Sequence, residues 1–185
     1  MTEVKHVQED LGYVRGLVDK AEPRSPAAIY LLWAPIVLAG FALVDFAPKA
    51  TGFFWLIAGP VGFVASTVIG YRASRRQGQV DQREGARHVL HWGGMMTAIL
   101  LTIPLVLTGS VTEKGIGQVI LLIVALSYFL NGVHLDRPLL WIGILMAAGY
   151  LATFVVSKYV WTLLGVMIAA ALVASALSGR ARAAR

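Results

Sequence analysis

The chain has 185 residues, 57% of them apolar and only 14% charged, with a mean hydropathy of +0.70; that balance excludes an ordinary soluble globular domain and makes the bilayer the expected solvent. Its formal charge of +6 comes from 16 basic and 10 acidic residues, and where these sit matters more than the excess itself. There is no cysteine, which rules out disulfides, thiolate metal sites, thiol nucleophiles and the covalent attachment of c-type haem.

Residues 1–26 are polar and lack the basic start and apolar stretch of a cleavable signal peptide, so the first membrane segment is expected to direct insertion itself. Within them Val4, Val7, Leu11, Val14, Val18 and Ala21 step by three and four, the spacing of a helical seam. An amphipathic helix is predicted, ended by Glu22-Pro23 and Ser25-Pro26. A helix that lies on anionic lipid carries a basic polar face, whereas residues 1–26 hold four basic and five acidic side chains. The seam is therefore expected to meet protein: a cytoplasmic partner, a second copy of the chain, or the chain's own loops.

Six apolar stretches follow, each near the roughly 20 residues needed to span a hydrocarbon core: residues 27–46, 52–71, 88–108, 115–134, 138–157 and 159–178, before a basic tail at 179–185. None holds Asp, Glu, Lys or Arg away from its ends, and Asp45 is expected at the interface. The reading is an all-α integral membrane protein. Segments 1 with 2, 3 with 4 and 5 with 6 are joined by such short connections that three antiparallel hairpins are expected. Pro35, Pro60 and Pro104 fall inside segments 1, 2 and 3, where each removes a backbone donor and favours a kink. Gly59-Pro60-Val61-Gly62 is the weakest helical stretch and a candidate for a break lining a cavity. Ala58, Gly62, Ser66 and Gly70, like Ala171, Ser175 and Gly179, recur every four residues as small-residue packing faces.

Between segments 2 and 3, Arg72, Arg75, Arg76, Arg83 and Arg87 make a basic loop suited to topology or to anionic lipid headgroups. Nucleic acid is not expected there, because Asp81 and Glu84 interrupt the run and no aromatics interleave it. Segment 3 opens with His88 and His91, three apart, and segment 4 closes with His134, with Asn131 one turn deeper. His91 and His134 each lie about 18 or 19 residues from the intervening turn, roughly 27 to 29 Å at helical rise, so they can share one depth. Imidazoles so placed suit a haem, a divalent metal or a proton, although no carboxylate in the spans completes a metal set. No cofactor is the simplest expectation.

Orientation follows from the basic residues. Lys5, Arg15, Lys20, Arg24, Arg72, Arg75, Arg76, Arg83, Arg87, Arg137, Arg180, Arg182 and Arg185 fall on one side, and only Lys49, Lys114 and Lys158 on the other. Cytoplasmic loops carry the excess of Lys and Arg, so both termini are expected in the cytoplasm of a cell membrane of the bacterial inner-membrane kind. No nucleophile elbow, zinc-protease helix, phosphate loop or buried carboxylate pair appears, and an enzyme is not expected. Two readings remain: a non-enzymatic anchoring, sensing or regulatory module acting through its cytoplasmic face, or a small, oligomeric transporter or channel using groups such as Thr97, Thr102, Ser127, Tyr128 and Tyr150.

Overall fold

The structure, a computed structural model, describes residues 25–76 and 82–183. The seam residues Val4, Val7, Leu11, Val14 and Val18 lie outside the described residues. Seven helices follow in order: α1 (Ala27–Phe46), α2 (Pro48–Arg76), α3 (Gln82–Leu100), α4 (Ile103–Leu107), α5 (Glu113–His134), α6 (Arg137–Val155) and α7 (Val160–Ala183). Because α3 and α4 run on as one segment, they make six helical stretches long and apolar enough to cross a membrane. The described residues contain no strand.

The prolines act unequally. α1 and α2 run unbroken through Pro35 and Pro60. The third span instead breaks at Leu101-Thr102, just ahead of Pro104. Proline lacks an N–H and collides with the carbonyl four residues back, here that of Leu100, and the buried Thr102 hydroxyl donates to the Ile99 carbonyl (2.6 Å) at the break. Gly59-Pro60-Val61-Gly62 stays helical because its glycines receive neighbours: a side chain added at Gly62 would strike the Trp33 ring. At 29 residues, α2 is about 44 Å long against a hydrocarbon core of about 30 Å, so it carries Arg75 and Arg76 well past one end of the apolar stretch.

The core belongs to four helices. Tyr30, Ala34 and Val37 of α1, Leu121, Ala125 and Tyr128 of α5, Leu139, Ile142 and Met146 of α6, and a row of α7 from Val160 to Ala176 form the buried apolar cluster. α2, α3 and α4 contribute none of it; nearly half of the last span is buried inside the bundle and hardly any of the third. The largest interfaces join α1 to α7 and α5 to α6; α1 with α2, α6 with α7 and α3 with α5 make smaller ones. Glycines set these pairings. A Cβ at Gly132 would overlap the Leu140 backbone, and one at Gly143 the Phe129 backbone, so α5 and α6 meet main chain to main chain. Gly165 takes the Phe41 side chain between α7 and α1 in the same way. Such close approach is how helices gain van der Waals contact where lipid removes the hydrophobic drive to associate. The four-residue connection from α6 to α7 is tight enough to hold Tyr159 at φ 55°, a left-handed conformation unusual for a bulky residue, with its ring against Phe46 (5.6 Å).

Candidate functional site

Some polar side chains in the bundle tie helix to helix, while serines and threonines such as Thr67, Thr97, Ser127 and Ser175 bond back to a carbonyl of their own helix. At the end of the bundle carrying the arginines, Asp136 sits in the connection between α5 and α6 and is 1% exposed. One carboxyl oxygen accepts from the Ser25 backbone N–H (3.0 Å) and from the Tyr30 hydroxyl (2.6 Å), fastening the start of α1 to the start of α6. Asp136 stands at the N-cap of α6 yet makes no capping bond to its own helix. Its other oxygen, and both polar atoms of the fully buried Asn131, have no partner. At the opposite end, which carries Lys49, Lys114 and Lys158, Asp45 caps the first turn of α7, accepting from Thr162 N (2.7 Å) and Oγ1 (2.6 Å). A carboxylate at a helix N-terminus satisfies free N–H groups and complements the dipole. Gln118 of α5 donates to Thr153 of α6 (2.9 Å), and Trp33 Nε1 of α1 donates to Ser66 Oγ of α2 (2.9 Å).

Beside this core lies a cleft of about 3050 Å³ lined by residues from all seven helices. It runs from Ser25, Arg137 and Ser178 at the arginine end to Lys49, Thr51 and Lys114 at the lysine end. Aromatic and aliphatic side chains line its length, among them Trp33, Phe41, Phe63, Trp92, Met96 and Val124. Gly59 and Pro60 border it, although α2 does not break there. The middle offers no acidic or basic side chain. Drug-sized ligands occupy about 300 to 1,000 Å³, so this space suits something larger and apolar.

His88 and His91 sit on α3 and His134 ends α5. His91 Nε2 donates to the Ser127 carbonyl of α5 (2.9 Å), a bond between helices, and its ring meets Trp92 edge-on, which in turn meets Tyr128. His134 is exposed at the end of α5, whereas Asn131, three residues earlier, is fully buried. His88 borders the cleft. Among the described residues no group of three or more His, Asp or Glu side chains is close enough to hold a metal. Arg72, Arg75, Arg76, Arg83 and Arg87 are all exposed, with the Arg75 guanidinium over the Tyr71 ring at 5.5 Å.

Sequence patterns did not single out Asp136, Tyr30 or Gln118. Asp136-Arg137-Pro138 does carry a signal, an Asp ahead of a proline in a first turn, but that signal points to a local cap. The contact it makes lies 106 residues away, and only the fold brings it there. The chain matches no protein-family model, no curated protein and no solved structure.

Proposed function

We propose that this chain is a non-enzymatic module of a cell membrane of the bacterial inner-membrane kind, an anchoring, sensing or regulatory subunit acting through the arginine-rich face, which lies in the cytoplasm with both termini. In this reading the six spans are threaded as three hairpins, and the seam of Val4, Val7, Leu11, Val14 and Val18 forms an amphipathic helix that contacts a cytoplasmic protein or a second copy. One observation supports it above others: Trp33, His91, Gln118 and Asp45 are engaged in helix-to-helix ties, while Arg72, Arg75, Arg76, Arg83 and Arg87 at one end stay exposed. A bundle built this way presents these arginines on a single face. The positive-inside bias of the loops gives the orientation. The test is affinity capture from native membrane in mild detergent, with and without residues 2–22. Loss of a co-purifying protein, or of the oligomer, on deletion is expected; unchanged capture and oligomer size would reject the seam as the contact.

The cleft favours a second reading, passage of a bulky apolar or neutral solute. Its uncharged middle is unlike the ionisable sites of cation- or proton-coupled carriers. Solute movement into liposomes containing the pure protein would replace the first reading with this one.

A further inference from the structure

We propose that the cleft is a binding site for one phospholipid, its phosphate held at the lysine end by Lys49, Lys114 and the Thr51 hydroxyl and its acyl chains lying along the apolar wall toward Met96 and Val124. The proposal does not depend on a cytoplasmic partner.

Four observations lead to it. First, Lys49 on α2 and Lys114 on α5 border the same end of the cleft, and neither makes an ion pair among the described residues. Asp45, the carboxylate that also borders this end, already holds Thr162. Two lysines against this one carboxylate leave an excess of positive charge for an anion at the depth where headgroups lie. Second, the Thr51 hydroxyl oxygen borders the same end, is buried and has no partner; an unpaired hydroxyl is a ready donor to a phosphate oxygen. Third, the wall between the ends is aromatic, aliphatic and thioether, a surface that adapts to flexible chains. Fourth, a Cβ on Gly59 would come within 3.7 Å of the Met96 methyl, so a side chain of α3 approaches α2 part-way along the opening. A partner helix, 10 to 12 Å across with its side chains, would have to force that approach apart. Acyl chains pass around it.

The site differs from the exposed arginines at the far end, which any anionic bilayer surface satisfies. Here one lipid is removed from the bulk bilayer and held among helices. Each Lys or Arg near an anionic lipid surface contributes about 1 kcal/mol, or roughly fivefold in affinity, so removing both lysines should weaken retention by roughly 25- to 30-fold.

Native mass spectrometry of the full chain, purified in mild detergent and titrated with phosphatidylglycerol, reads the count directly. One lipid per chain should survive delipidation in the unmodified protein and be lost in K49Q/K114Q. It should also be lost in G52W, where the added side chain enters open space at the lysine end of the cleft, and should persist in R72Q/R75Q/R76Q. Equal retention in all variants, or loss only in the arginine variant, overturns the proposal. Should the lysine or tryptophan variant fail to fold, the unmodified protein still decides. Phosphatidylglycerol with brominated chains must quench tryptophans that line the cleft, Trp33, Trp55 and Trp92 among them, and unbrominated lipid must reverse this slowly. Quenching that reverses as fast as lipid mixing means a bulk annulus and no site, and a co-purified helix cross-linked to Ile120→Cys, in a chain otherwise free of cysteine, means a protein occupant instead.

Discussion

Tyr30→Phe tests whether the buried knot at the arginine end joins the two halves of the core. The substitution removes one oxygen and leaves the ring in place, so packing among the α1 and α7 side chains is preserved. It takes from Asp136 the shorter of its two donors, at 2.6 Å. Asp136 is 1% exposed and its second oxygen already lacks a partner, so water cannot readily replace the lost bond. Leaving a buried acceptor without its donor costs about 1 to 3 kcal/mol; Tyr30→Phe is expected to destabilise by about 2 kcal/mol, or about 4 to 8 °C for a chain of this size. Asp136→Ala removes the same bond from the other side, so Tyr30→Phe on that background should change little. The assay is a double-mutant cycle on thermal unfolding in mild detergent, followed by helical circular dichroism and tryptophan fluorescence. A coupling of about 1.5 to 3 kcal/mol is expected. If the two substitutions add to within about 0.5 kcal/mol, the bond contributes nothing and α1 is held to α6 by apolar packing alone.

Two further substitutions probe the α5–α6 pair. Asn131 is fully buried with neither polar atom bonded, and an unsatisfied buried polar group costs about 1 to 3 kcal/mol, so Asn131→Leu is expected to raise the unfolding temperature; a fall would mean that the amide has a partner in the membrane. Gly143→Leu should prevent assembly or cost more than about 4 kcal/mol, since even a Cβ there overlaps the Phe129 main chain and the backbones cannot separate without losing the interface. Gly70→Leu, where a Cβ meets nothing within 4 Å, should leave stability nearly unchanged, and similar effects at the two positions, read by thermal unfolding and gel filtration, would contradict the close packing of α5 on α6.

Hydropathy located the spans because the bilayer imposes a length and a solvent on every one of them. Residues 27–46 match α1 end to end, and the other predicted spans fall within a few residues of the apolar helices except α2, whose polar ends let the helix continue past the apolar stretch. Which helix packs on which was much less legible. Short connections keep sequential spans near one another, yet the largest interfaces are between the first and last spans and between the fourth and fifth. The reason lies in single residues: Gly132 and Gly143, outside the four-residue rows of segments 2 and 6, admit a neighbouring backbone, whereas Gly70 and Gly179, at the ends of those rows, face open space. Spacing reports that a face is small but not what it meets. The prolines show the same limit, since Pro35, Pro60 and Pro104 all break the local rule and only the last interrupts its helix.

The candidate site was hidden for a related reason. Histidines attract attention because their chemistry is distinctive, but His91 binds a backbone carbonyl, a role that any side-chain donor of similar reach can fill. Lys49 and Lys114 looked like the minor side of a topology count. Sixty-five positions separate them in sequence, and their significance comes from bordering one end of one cleft. A charge count over loops adds residues without regard to which helices bring them together. In a bundle whose spans contain no charge away from their ends, whatever chemistry the fold offers must arise where residues near the ends of different helices border one opening, and the end of the bundle with fewer charges is where Lys49 and Lys114 border an apolar cleft.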